Sequence, residues 1–117
     1  MKYVFVGERP SETAVIRRWN WQNGRLAAKQ LFDALKAIGI DPQEQQYLNL
    51  WPHKRLALEA LRPVATSRVW KIVGMGAIVQ AELEKARLPH LKLVHPAARG
   101  TIRGKKRYAE HCKAVLL

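Results

Sequence analysis

Four short apolar runs in this chain end on, or contain, residues with chemical capacity. Glu8 is the only acid at the end of the first run, Asn49 lies within the second, Gly74-Met-Gly76-Ala77 closes the third and His95 follows the fourth. A histidine at the mouth of a strand offers a ring N–H to an oxygen that gains negative charge during a reaction. It can equally cap the turn at Pro96. A carboxylate such as Glu8 can orient and polarise a water and stabilise a cationic centre, or it can pair with Arg9 or cap the helix that follows. The Asn49 amide donates and accepts, so it suits a mixed donor–acceptor edge or a neighbouring strand end. The competing chemistries lack their residues: no His and Cys spacing suits zinc, no Gly-Lys-Ser or Gly-Lys-Thr follows a glycine loop, and no nucleophile sits beside a base. Gly74-Met-Gly76 lacks the third glycine of a dinucleotide-binding turn.

The elements that must position these residues follow from periodicity. Tyr3–Val6, Gln46–Leu50, Val69–Val73 and Leu91–Val94 read as short buried strands. Between the first two, Ala28, Leu31, Phe32, Leu35 and Ile38 recur at helical spacing, and Gly39 with Pro42 supplies the stop. A second helix is expected over Lys54–Leu61, ahead of Pro63, and a third from Ala77, after Gly76, ending by Pro89. The last begins near Lys105, with Tyr108, Cys112, Val115 and Leu116 on one face and Lys106, Arg107, Glu110 and Lys113 on the others. Trp51 and Trp70 read as core or strand-flank residues. Strands alternating with helices predict a three-layer α/β/α fold with a four-stranded, mostly parallel sheet. In such sheets ligands bind beyond the carboxyl ends of the strands, where Glu8, Asn49 and His95 fall.

The chain of 117 residues, 48% of them apolar, fits one domain over residues 1–117. Its single cysteine, Cys112, excludes an internal disulfide and a cluster held by four thiolates. No apolar stretch is long enough for a bilayer and no signal-peptide pattern opens the chain, which points to a cytoplasmic protein. Twenty-one Lys and Arg against nine Asp and Glu leave a formal charge of +12, which asks for a polyanion, first of all a phosphate backbone. A merely solvated basic surface is the plain alternative. A membrane surface fits less well, because the basic residues are spread over several loops and do not line one amphipathic helix.

Two segments at opposite ends of the chain resemble the signature of the uracil-DNA glycosylase superfamily, especially its iron-sulfur-type bacterial and archaeal class. Phe5-Val-Gly-Glu-Arg-Pro10 is similar to the family's apolar strand running into Gly-Glu-x-Pro-Gly, and His95-Pro-Ala-Ala-Arg99 to its closing His-Pro-Ser segment. In the same order, Asn23–Leu31 through Ile38-Gly-Ile40 resembles its Gly-Arg-Ala-Gly-Lys-Leu-Leu helix ending in Ile-Gly-Leu. Tyr47-Leu-Asn49 resembles the strand bearing its Asn, and Gly74-Met-Gly-Ala77 its Leu-Gly-x-x-Ala turn. The chain departs from the pattern in lacking the cluster cysteines, in Ser11 where Gly is usual and in Ala97 where Ser is usual.

The resemblance implies a uracil-DNA glycosylase-like fold and base-excision chemistry on a nucleotide flipped out of DNA. Glu8 and His95 would be the catalytic pair. Gly7, Pro10, Trp21 and Asn49 would bind the base, Asn49 reading the O4 and N3–H edge of uracil. Within Arg18-Trp-Asn-Trp-Gln22, which lies where the resembled class keeps a stacking Phe, Trp21 is the first choice to stack the base and Trp19 the second. In Ala98–Arg107, Ile102 would fill the gap left by the flipped base, while Arg99, Arg103, Lys105, Lys106 and Arg107 meet phosphates. Five cations at a helix start oppose the helix dipole, which favours a functional reason for them over simple solvation. The expected partner is DNA, single- or double-stranded, bound by a monomer with neither metal nor cofactor. Two other readings share these residues: a glycosylase for another modified or damaged base, and a binding module that keeps the fold without turnover.

Overall fold

The computed structural model describes residues 1–10, 12–18, 21, 27–97 and 104–117. Four strands, β1 (Lys2–Gly7), β2 (Gln46–Asn49), β3 (Trp70–Met75) and β4 (Leu91–Leu93), form one all-parallel sheet in the order β2-β1-β3-β4. Among the described residues five helices accompany them: α1 (Glu12–Ile16), α2 (Ala27–Ala37), α3 (Lys54–Ala65), α4 (Ala77–Lys85) and α5 (Lys105–Leu116). A 3-10 turn over Pro42–Glu44 leads into β2.

Strand periodicity sorts the side chains into two cores. Tyr3 and Phe5 of β1 face one way with Val73 and Met75, and α2 covers them through Leu31, Phe32 and Leu35 while α5 adds Tyr108, Cys112 and Leu116. Val4 and Val6 face the other way with Ile72, under Ala57 and Leu61 of α3 and Val79 and Leu83 of α4. The β1-to-β2 connection runs to one side of β1 with α2 on the first face. The β2-to-β3 connection steps over β1 to the other side with α3 on the opposite face, so both crossovers have the same hand. Cys112 is buried as expected, and burial pushes its thiol up to about 12.

The expected four-stranded sheet between helical layers is present and is parallel throughout the described residues. Two features differ from the sequence reading. The helix expected to stop before Pro63 runs on to Ala65: a proline here removes only one N–H near the helix end, while Val64 and Ala65 gain contact with the second core. The short α1 had no periodic signal because Val15 and Ile16 are 61% and 79% exposed and build no apolar face. No helix among the described residues is long and apolar enough to cross a membrane.

Candidate functional site

The crossovers on either side of the β1–β3 pair leave in opposite directions, which makes the carboxyl ends of these strands the switch point of the sheet. β1 pairs with β2 as far as Gly7 opposite Asn49 and with β3 as far as Val6 opposite Gly74. Beyond β1 the chain is braced by the exit of β2: Leu50 N–H donates to Gly7 O and Trp51 N–H to Glu8 O, both at 2.9 Å. The Glu8 backbone is thereby fixed while its carboxylate stays 38% exposed. Arg9 Nε lies 3.7 Å from that carboxylate, and its guanidinium stands 5.5 Å from the Trp51 ring centroid. Lys54 approaches the same ring at 5.6 Å and pairs with Glu82 at 3.0 Å.

His95 follows β4 at the same edge. Its Nδ1 accepts the Ala97 N–H at 3.0 Å, so the neutral ring carries its proton on Nε2. Capping the turn and donating to a ligand are therefore compatible roles, since the cap selects the tautomer that leaves Nε2–H as a donor. Burial lowers the His95 pKa and the Glu8 charge pulls it back up, so the two side chains sense each other across the strand ends. Gly76 sits beside the imidazole at φ 91°, a conformation that disfavours side-chain-bearing residues, and a Cβ there would meet His95 Cβ at 3.5 Å.

Gly7, Asn49 and Trp21 form the other side of the site. A Cβ on Gly7 would lie 2.8 Å from Asn49 Oδ1 and 3.1 Å from Trp21 Cζ2, so only glycine admits this packing. Trp21 Nε1 donates to Asn49 Oδ1 at 3.1 Å. Because an indole only donates, the atom facing it must be the amide oxygen. One lone pair of Asn49 is thus engaged, and its amide nitrogen has no acceptor among the described residues. Trp21 stacks on Tyr47 at 5.9 Å and 17°, and Tyr47 in turn on Phe5 at 5.6 Å and 17°. Trp21 therefore ends an aromatic column rooted in the first core.

The structure brings Gly7 and Glu8 to the end of β1, Asn49 to that of β2 and His95 to that of β4, with Trp21 against Gly7 and Asn49. Pro10 is half-buried just past Glu8. Lys106 and Arg107 are exposed on the first turn of α5, and Lys105 opens that helix. Trp19, Arg99, Ile102 and Arg103 lie outside the described residues. A groove of about 430 Å³ runs between α2 and α5, floored by Ala34, Ala37, Ile38 and Ala109, and it includes Lys106 but none of the strand-end residues.

Three contributors went unread in the sequence. Trp51 was assigned to core or strand flank; it does pack on the second core, but it also braces Glu8 and gathers two cations. Gln80 of α4 ties β3 to β4 with one amide nitrogen, which donates to Gly74 O and Leu93 O at 3.0 Å each. His111 of α5 contacts the residue before His95. None carries a sequence signal, because each depends on which strands are neighbours. Comparison of the chain with protein-family models, with curated proteins and with solved structures finds no match, so any functional reading rests on this geometry and on the motifs of the sequence.

Proposed function

We propose that this chain is a DNA glycosylase that hydrolyses the N-glycosidic bond of uracil, or of a related modified or damaged base, flipped out of DNA. In this reading it has a uracil-DNA glycosylase-like fold and acts as a cytoplasmic monomer in base-excision repair. The observation that carries the proposal is the placement of a carboxylate just after β1 and of a histidine just after β4 at the carboxyl edge of one parallel sheet, with the histidine Nδ1 capped so that Nε2 is left as the donor.

The chemistry follows from these groups. As the bond between the sugar carbon and the base nitrogen breaks, its electron pair moves onto the base, and His95 Nε2–H donates to the base oxygen that gains the charge. The sugar becomes cationic. Glu8, close enough for its charge to be felt at His95, stabilises that cation and orients the water. As the water oxygen bonds to carbon its O–H bond breaks; the proton passes to the Glu8 carboxylate and then by way of solvent to the departed base anion, so that free base and sugar hydroxyl result. A neutral histidine suits this role because its N–H can strengthen as charge develops, and burial favours the neutral form. The N–H groups of Asn49, which have no acceptor among the described residues, suit the O4 of uracil, and its second lone pair suits N3–H. Lys106 and Arg107, with the net charge of +12, support a phosphate-backbone partner.

One observation favours the second reading, a nucleic-acid-binding module without turnover. The Trp21 indole occupies part of the Asn49 amide that a base would need. The deciding experiment is cleavage of a labelled oligonucleotide with one deoxyuridine, single-stranded and opposite A or G, followed by alkali. We expect alkali-labile strands from the wild type and a loss of about 10²-fold or more with His95→Ala, and a marked loss with Glu8→Ala. Intact strands despite salt-sensitive binding would overturn the uracil activity in favour of the binder or of another base.

A further inference from the structure

β4 is an edge strand. Along any strand, successive residues turn their N–H and C=O groups to alternate sides. Leu93 faces inward, because its carbonyl accepts the Gly76 N–H at 2.9 Å. Val94 must then face outward, where no fifth strand stands among the described residues and both polar groups would be left to solvent. Two side chains of α5 take the place of the missing strand. His111 Nε2 accepts the Val94 N–H at 3.0 Å, and the Tyr108 hydroxyl donates to the Val94 carbonyl at 2.7 Å.

The i, i+3 spacing sets both rings on one face of α5, with centroids 6.1 Å apart. Tyr108 is 1% exposed, so this hydroxyl has a fixed partner and little freedom. Burial raises the Tyr108 pKa and lowers that of His111, which keeps the first a donor and the second a neutral acceptor. The clamp therefore holds the two peptide groups that lead into His95. It also joins Val94 and Tyr108, the residues on either side of 95–107 in the sequence, where the basic residues expected to meet phosphates are found.

We infer that His111 is a positioning residue: with Tyr108 it clamps Val94 at the open edge of the sheet and so sets the direction of the His95 Nε2–H. The inference rests on the glycosylase reading for the role of His95, while the clamp itself can be tested without turnover. Two variants separate acceptor from bulk. His111→Gln keeps an acceptor oxygen on a side chain of similar reach, and His111→Leu fills space without one.

In His111→Leu the Val94 amide should exchange with solvent about tenfold faster or more, read by NMR, with the β1 amides unchanged as the control for folding. His111→Gln should stay near wild type. On the deoxyuridine strand, His111→Leu should lose about 10²-fold in kcat with KM little changed, and His111→Gln should recover most of it. Unchanged Val94 exchange in His111→Leu would overturn the clamp. Faster exchange with unaltered kcat would overturn its positioning role, as would a His111→Gln variant as impaired as His111→Leu. If the wild type cleaves nothing, the glycosylase reading fails separately. The clamp is then judged by Val94 exchange together with the His95 ring nitrogen shifts, which must move in His111→Leu and not in His111→Gln; shifts that stay put overturn it.

Discussion

Replacing Gly7 with alanine adds one methyl group at the most crowded point of the site. The new Cβ would lie 2.8 Å from Asn49 Oδ1, about 0.6 Å inside the 3.4 Å at which ordinary contact begins, and 3.1 Å from Trp21 Cζ2. Gly7 cannot retreat, because its carbonyl accepts from Leu50 N–H and it is paired opposite Asn49 in the sheet. The Asn49 amide and the Trp21 ring must move instead, which breaks their 3.1 Å hydrogen bond and disturbs the stack on Tyr47. Overpacking costs about 1–3 kcal/mol and a part-buried hydrogen bond about 1 kcal/mol. A net loss of about 2–3 kcal/mol should lower Tm by roughly 10 °C in a domain of this size. On the glycosylase reading, displacing Asn49 and Trp21 should reduce cleavage of the deoxyuridine strand by up to about 10²-fold. Thermal unfolding and the alkali-cleavage assay read the two effects independently. A Gly7→Ala protein with wild-type Tm and cleavage would refute the close packing of Gly7, Asn49 and Trp21 as the floor of the site.

The lowered pKa of His95 predicts a titration midpoint below the ordinary histidine value of about 6.5, measurable by NMR. Glu8→Gln should lower it further, since the Glu8 charge is the opposing influence; an upward move would contradict their coupling. A depressed histidine pKa means that its contribution to stability is present above the unfolded-state value and is lost as pH falls through the folded one. His95→Gln should therefore flatten this part of the acid limb of a stability profile. Lys106→Gln and Arg107→Gln should each reduce the slope of log binding constant against log salt by about 0.9 on duplex DNA. A slope unaltered in both would remove the start of α5 from the interface.

The sequence made the strands legible because Tyr3–Val6 and Val69–Val73 are dense in β-branched and aromatic residues, and a central parallel strand is buried on both faces. The α2 helix was legible from its apolar spacing. Pro63 misled the boundary of α3, since a local backbone penalty was outweighed by contacts of Val64 and Ala65 that only the tertiary structure supplies. Site residues on the strand ends could be named because βαβ topology sends every such end to one edge of the sheet. Whatever depends on strand order could not be read. That β4 is the edge, and so needs Tyr108 and His111, follows from a pairing among β1, β3 and β4 that no local pattern encodes.

The same topology separates what the backbone does at this site from what the side chains do. Gly7 lies one residue beyond the Val6–Gly74 pair, and Gly76 follows directly on the Met75–Leu93 pair, so two residues without side chains stand near the point where the crossovers diverge. A Cβ on the first would collide with Asn49 and Trp21, whereas one on the second would meet His95 in ordinary contact and is disfavoured there by the φ of 91°. The floor of the candidate site is thus main chain, set by strand pairing, with Glu8, Asn49 and Trp21 as walls beside Gly7 and His95 as the wall beside Gly76. A wall residue can change the charge or hydrogen-bonding pattern presented to a ligand without moving a strand. Gly7 cannot gain even one carbon without displacing a wall, and Gly76 holds a φ that side chains rarely adopt; on the glycosylase reading, selectivity for the base should vary through Asn49 and Trp21, while the arrangement itself should depend on Gly7 and Gly76.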